Sequence, residues 1–289
     1  MDYLLHILIM CGIYAILTLS LNLLVGYTGL AALGHAAFSL IGAYVSALLA
    51  INFGVTPGLG MLIGAIAAAA ISLVIAFPAL RISGDYLALA TLGFAVIVYS
   101  VAKNWIGVTR GPLGLPGIPT FSLFGLKLTA NWAYLILVAV VVAIATFIIS
   151  RVVGSPFGRV LAGIREDEIA TESMGKNTDG FKIKTFMVGA FFAGVAGSLY
   201  AHYITFIDPS SFTVMESITI LLMVVFGGMA SLRGSFVGAI VLIAFPEMLR
   251  FVGMPSSVAA PLRQVIYGLL LVVLMLYRPQ GLLGKFRFN

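Results

Sequence analysis

The hydrophobic positions of this chain gather into nine long runs, over residues 4–25, 34–50, 58–80, 86–102, 132–149, 185–204, 213–226, 234–252 and 262–277, with the polar positions concentrated between them. A helix crosses a hydrocarbon layer about 30 Å thick with about 20 residues, so each run predicts a helix lying in lipid. The pattern therefore predicts an all-α integral membrane protein: one polytopic helical bundle over residues 1–289 with eight or nine membrane segments. Runs 34–50 and 213–226 are short and each adjoins a glycine-rich stretch, as expected of helices that break inside a membrane or barely span it.

Composition strengthens this reading. Charged residues make up 9% of the 289 positions and apolar ones 61%, whereas soluble domains are about 25% charged. No attached soluble domain is expected. Residues 4–25 are preceded by no Lys or Arg and followed by no small-residue cleavage pattern, so they are expected to remain as a first helix rather than act as a removable signal. Cys11 is the only cysteine and lies in that run. A disulfide framework and a cysteine-based metal cluster within one chain are thereby excluded.

The formal charge of +6 does not indicate nucleic acid, because the basic residues sit at run ends and in loops where membrane topology explains them. Arg151, Arg159, Arg165, Lys176, Lys182 and Lys184 crowd into loop 151–184, and Arg278, Lys285 and Arg287 mark the tail. Both regions are expected on the cytoplasmic side, separated by an even number of crossings. Loop 103–131 then lies outside. Its glycines and prolines forbid a continuous helix and predict an ordered, irregular loop, either a connector or a docking surface for an external partner.

Within the runs, Gly189, Ala193 and Gly197 recur every four residues, as do Ala190, Gly194 and Ser198; such small-residue stripes admit close approach of another helix. The stretches 29–34 and 228–234 echo each other weakly, each leading into a further apolar helix, a pattern expected of duplicated halves with broken helices. Around the first stretch stand Asn22, Tyr27, His35, Ser39 and Tyr44. Two readings are open for them: they line a solute path, or they satisfy the interrupted backbone.

Several chemistries are absent. No G-x-x-x-x-G-K-[ST] phosphate loop is present, since Gly284-Lys285-Phe286 lacks both the upstream glycine and the following hydroxyl. Neither H-E-x-x-H nor G-x-S-x-G occurs, and His6, His35 and His202 are too dispersed to suggest a metal or catalytic site by spacing. No catalytic residues and no bound cofactor are expected. Arg81, Asp85, Glu216, Arg233 and Arg263 fall at run ends, while Glu247 and Arg250 are spaced to pair on one helix face. So few intramembrane charges weaken the reading as an ion-coupled carrier or channel.

Loop 151–184 is too patterned for a simple turn and reads as two short helices. Pro156 suits a first helical position, Asp167 an N-cap for the second helix, and Gly175 its left-handed stop. Ala170 and Met174 lie one turn apart, with Glu168 and Glu172 on a neighbouring face. The motif E-I-A-T-E-S-M-G, followed by Lys176-Asn177, resembles the coupling-helix loop of bacterial ATP-binding-cassette importer permeases, specifically the branched-chain amino acid permeases of the LivM type. It departs from the general E-A-A-x-x-x-G pattern at Ile169 and Thr171. The likeness continues through S-L-N-L-L-V-G-Y-T-G-L-A-A-L-G-H-A-A-F-S-L-I-G-A-Y, G-D-Y-L-A-L-A-T-L-G-F, T-R-G-P-L-G-L-P-G-I-P, F-G-G-M-A-S-L-R-G-S-F-V-G-A and R-P-Q-G-L-L-G.

This resemblance implies a bacterial inner-membrane permease with a second homologous permease subunit, two cytoplasmic ATPase subunits that carry ATP and magnesium, and a periplasmic solute-binding protein. It implies that Glu168, Ile169, Ala170, Glu172, Met174 and Gly175 form the contact with an ATPase. Branched-chain amino acids are the solutes it suggests, with urea, short amides and other small carboxylates as alternatives.

Overall fold

The computed structural model describes residues 2–79, 85–123, 126–128, 130–250, 268–269, 272 and 280–284. Eleven α-helices appear among the described residues, and they follow the apolar runs closely. Helix α1 (Asp2–Asn22) continues through a π-helical turn, Leu23–Tyr27, before α2 (His35–Phe53), α3 (Pro57–Ala79) and α4 (Asp85–Asn104). The short α5 (Ile106–Thr109) begins an irregular connection to α6 (Asn131–Gly154). Two small helices, α7 (Pro156–Glu166) and α8 (Glu168–Ser173), lead to α9 (Thr178–Ile204), and α10 (Val214–Gly227) and α11 (Leu232–Arg250) follow.

Seven stretches among the described residues are long and apolar enough to cross a membrane: Asp2–Tyr27, His35–Phe53, Pro57–Phe77, Tyr86–Asn104, Asn131–Gly154, Thr178–Ile204 and Pro209–Gly227. A further apolar helix, Leu232–Phe245, is shorter than these. The expected segment 262–277 lies mostly outside the described residues, as do Arg81, Arg263, Arg278, Lys285, Arg287 and the side chains of Glu247 and Arg250. Helix α9 starts at Thr178, seven residues before the apolar run at 185. Its polar first turns are stabilised locally: Asn177 caps Gly180 N at 3.0 Å, and buried Lys182 is neutralised by Glu168.

The core is built by α2, α3 and α9 packing backbone against backbone. Gly42 on α2 faces Gly194 on α9, Gly194 faces Ala65 and Ala68 on α3, and Gly197 lies against the carbonyl of Ser39. Ser198 Oγ donates to Gly42 O at 3.0 Å and to Gly194 O at 2.9 Å, so the closest crossing also holds a hydrogen bond. In lipid, where no hydrophobic force drives helix pairing, close van der Waals approach with such bonds is what joins helices. Helix α1 packs on this trio through Leu24 and Ser20 against Gly189, and on α6, α10 and α11 on its other sides.

The connection between α4 and α6 is tied to the far end of the bundle. Strand β1 (Leu115–Pro116) pairs antiparallel with β4 (Phe206–Ile207), while β2 (Ser122–Leu123) and β3 (Leu126–Lys127) form a small hairpin. His202 Nδ1 bonds Pro119 O at 2.8 Å, and Ser46 Oγ meets the other ring nitrogen at 2.8 Å. A carbonyl can only accept, so Nδ1 carries the proton and Nε2 accepts from Ser46.

Replacing Gly197 with Val is expected to destabilise the purified protein by about 1–3 kcal/mol, as overpacking does in other close-packed interiors. Gly93, in mid-α4 with nothing within 4 Å of an added Cβ, is the control: Gly93→Ala should stabilise by about 0.5–1 kcal/mol. Thermal unfolding in detergent measures both.

Candidate functional site

Two breaks in the helical architecture meet in the middle of the chain's fold. The first follows the π-helical turn and runs through residues 28–34 to α2; the second is the short link 228–231 between α10 and α11. Breaking a helix frees backbone donors and acceptors, and in lipid these must find partners within the protein. Asn22 supplies them across the gap. Its amide nitrogen donates to Ser231 O at 3.0 Å and Ser235 Oγ at 2.7 Å, and its oxygen accepts from Ala230 N at 3.0 Å. The backbones approach so closely that a Cβ on Gly26 would stand 2.5 Å from Ala230 N.

The other polar residues around the first break are spread along α2. His35 is fully buried, with Nε2 2.8 Å from Ser20 Oγ; the Ser20 hydroxyl donates to Leu17 O at 2.9 Å, so the His35 nitrogen donates to it. His35 Nδ1 is then a bare acceptor, and neither it nor the Tyr44 hydroxyl has a hydrogen-bond partner among the described residues. Tyr27 lies beside Leu232, the first residue of α11 after the second break, and near Arg165. Of the five residues singled out in the sequence, Ser39 alone lines the cavity described next.

That cavity lies between α1, α2, α9 and α10. Tyr14, Leu17, Ser39, Tyr200, Ser211 and Glu216 are among its lining residues, and it has room for little more than a water molecule. Glu216 sits in the first turn of α10, which reads in the sequence as a segment end. Its carboxylate instead accepts from the hydroxyl of Tyr14, halfway along the span Asp2–Tyr27. Residues 208–213 carry the chain inward ahead of α10. Asp208 caps that 3-10 turn by accepting from Ser211 N at 3.0 Å, and although burial opposes ionisation, the bonds from Ser210 and Ser211 hold its carboxyl below the ordinary range.

At the end of α6 opposite the β1–β4 pair, α7 and α8 form a knob. Ser155 caps α7 with Pro156 at its first position, Asp167 Oδ1 caps α8 by accepting from Ala170 N at 3.0 Å, and Gly175 closes it at φ +77°. Glu168 pairs with Lys182, and Glu172 accepts from Thr178 Oγ1 at 2.6 Å, so both carboxylates hold the knob onto α9. Ile169 and Met174 point away from the chain, 77% and 79% exposed, with Ala170 and Gly175 also exposed. Inward, Leu161 and Ile164 of α7 pack on Leu23 of the π-helical turn, and Arg165 Nη1 donates to Gly26 O at 2.8 Å. The knob is therefore fastened to the first helix break.

Residues 3–275 match the family described as branched-chain amino acid transport system / permease component. The chain belongs to that family. The permease is 38% identical to the high-affinity branched-chain amino acid transport system permease protein LivM of Escherichia coli K12, an alignment that covers 95% of this chain and 68% of that protein. It is 25% identical to LivH of the same organism, over 94% of this chain and 91% of that protein. A probable LivM of Methanocaldococcus jannaschii is also 25% identical, over 98% and 94% of the two chains. No solved structure matches the chain.

Sequence reasoning about this permease did not bring Tyr14 and Glu216 together, nor find the bonds from Glu168 and Glu172 to α9. Their partners lie on other elements, which no local spacing reveals. Replacing Asn22 with Leu should cost about 1–3 kcal/mol for each polar group left unsatisfied. The check is a thermal melt of the purified permease, in which Asn22→Leu should unfold well below Ser39→Ala.

Proposed function

We propose that this permease forms half of the translocation path of an ATP-binding-cassette importer for branched-chain or related small amino acids. In this reading the knob of α7 and α8 lies on the cytoplasmic side, in the inner membrane of a bacterium, and seats in a groove of a separate ATPase subunit. ATP and its magnesium belong to a pair of such ATPases, and a periplasmic solute-binding protein delivers the solute to the end bearing β1 and β4. That two permease proteins of one high-affinity system in E. coli are both similar to this chain supports pairing with a second, homologous permease.

The observation that carries the reading is the fastening of an exposed knob to a helix break. Ile169 and Met174 offer apolar surface left exposed among the described residues, and the salt bridge and hydrogen bonds of Glu168 and Glu172 keep that surface rigid. A force on the knob reaches the π-helical turn through Arg165 and the Leu23–Leu161–Ile164 contact. π-Helical turns inside α-helices are frequent where function needs a deformable point. Closure of an ATPase pair would then shift the end of α1 together with the second break, to which Asn22 couples it.

Introducing charge on the outward face tests this assignment. Ile169→Glu and Met174→Glu should each lower ATP-driven leucine uptake by about tenfold, the loss expected for a buried interface contact worth about 1.4 kcal/mol. Permease abundance in the membrane should remain as in the unmodified protein. Undiminished uptake in both variants would refute the knob as the coupling element.

A further inference from the structure

A carboxylate within a membrane span is costly unless it has a counter-charge, and intramembrane ionisable groups mark solute or ion pathways for that reason. Glu216 lies within the apolar stretch Pro209–Gly227, against Tyr14 of the stretch Asp2–Tyr27. No Lys, Arg or His forms an ion pair with it among the described residues; its hydrogen bond comes from the neutral phenol of Tyr14. Hydrogen bonding alone does not require a carboxyl here, because a glutamine amide oxygen would accept from that phenol equally well.

The surroundings say what would complete it. Glu216 faces a cavity whose remaining polar groups are the hydroxyl-bearing residues Ser39, Ser211 and Tyr200, and whose other walls include Leu17 and Ile220. A carboxylate, neutral hydroxyls and aliphatic wall together fit a small solute with one cationic group, a polar remainder and a branched apolar side chain. The cavity in this conformation admits no such solute, so helices must separate before it is occupied. The place where they would part is defined: Tyr14 and Glu216 belong to α1 and α10, the helices that flank the Asn22 bridge.

We propose that Glu216 receives the ammonium group of the transported amino acid, taking the place along the path that the Tyr14 hydroxyl holds when no solute is present. This deepens the functional reading above and rests on it. Ser39 and Ser211 face the polar remainder of the solute, and Leu17 and Ile220 its side chain. The site is transient: the ammonium exchanges one hydrogen bond to Glu216 for another and leaves as the phenol returns.

The test uses the complete transporter, with its partner subunits and binding protein, reconstituted in vesicles and supplied with ATP. Leucine uptake is compared for the native permease, Glu216→Gln and Glu216→Asp, normalised to assembled complex. Gln removes the charge at nearly constant shape and should cut uptake by about tenfold or more, in line with a charge-assisted bond; Asp, which keeps the charge, should retain most of it. A purely structural role would reverse this order, since Asp is the worse fit. Uptake by Glu216→Gln within twofold of the native level overturns the proposal.

Should Glu216→Gln fail to assemble, the native complex answers the question. Carbodiimide modification of Glu216 should slow at least threefold when leucine is being transported, and no slowing overturns the assignment. A native complex that takes up no leucine at all removes the amino-acid reading of the permease, and this proposal with it.

Discussion

The structure depends on the requirement that no backbone group be left without a partner in lipid. Unbroken helices meet it by themselves, but among the described residues the helical course breaks after Tyr27 and after Gly227. From the helix that leads into the first interruption, one asparagine satisfies the second, because a primary amide donates two bonds and accepts more in the same plane. Asn22 spends them on Ser231, Ser235 and Ala230, residues more than 200 positions away in sequence. The two breaks thus become one joint, with Gly26 allowing the backbones to meet.

From that joint the functional architecture follows in two directions. Toward one end, Arg165 and the apolar contact on Leu23 attach the α7–α8 knob, which carries the exposed Ile169 and Met174, to the joint. Toward the middle of the bundle, the same α1 and α10 carry Tyr14 and Glu216 across a small cavity. The α2–α3–α9 trio, packed by glycines and serines, provides the stiff body against which these elements would move. A rigid block beside a jointed pair of helices is a reasonable layout for a path that must open and close.

Much of this was legible in the sequence because it is local. Apolar runs mark the spans, since their length is set by the bilayer. The caps at Ser155, Asp167 and Gly175 obey rules that involve three or four neighbouring residues, and the small-residue stripe on α9 is a four-residue period. The resemblance to the permease family rests on ordered motifs of the same kind. What stayed hidden was pairing between distant elements. Asn22 stands out in the sequence as a polar residue near a break, but its bonds to the second break depend on tertiary geometry. Glu216 stands at a segment end, as its sequence position predicts, but its bond to Tyr14 joins elements about 200 residues apart, which no local pattern reveals. Glu168 and Glu172 bond to Lys182 and Thr178 of α9, partners that spacing within α8 does not reveal.

The interlocking of the two breaks is tested most directly by replacing Asn22 and Ser235 with cysteines in a Cys11→Ser background, oxidising native membranes, and cutting the chain within loop 151–184. If the joint is as described, the N-terminal and C-terminal fragments remain covalently linked until a reductant is added. Fragments that separate without reduction, in membranes where a Thr18→Cys/Met223→Cys pair does link them, would contradict it.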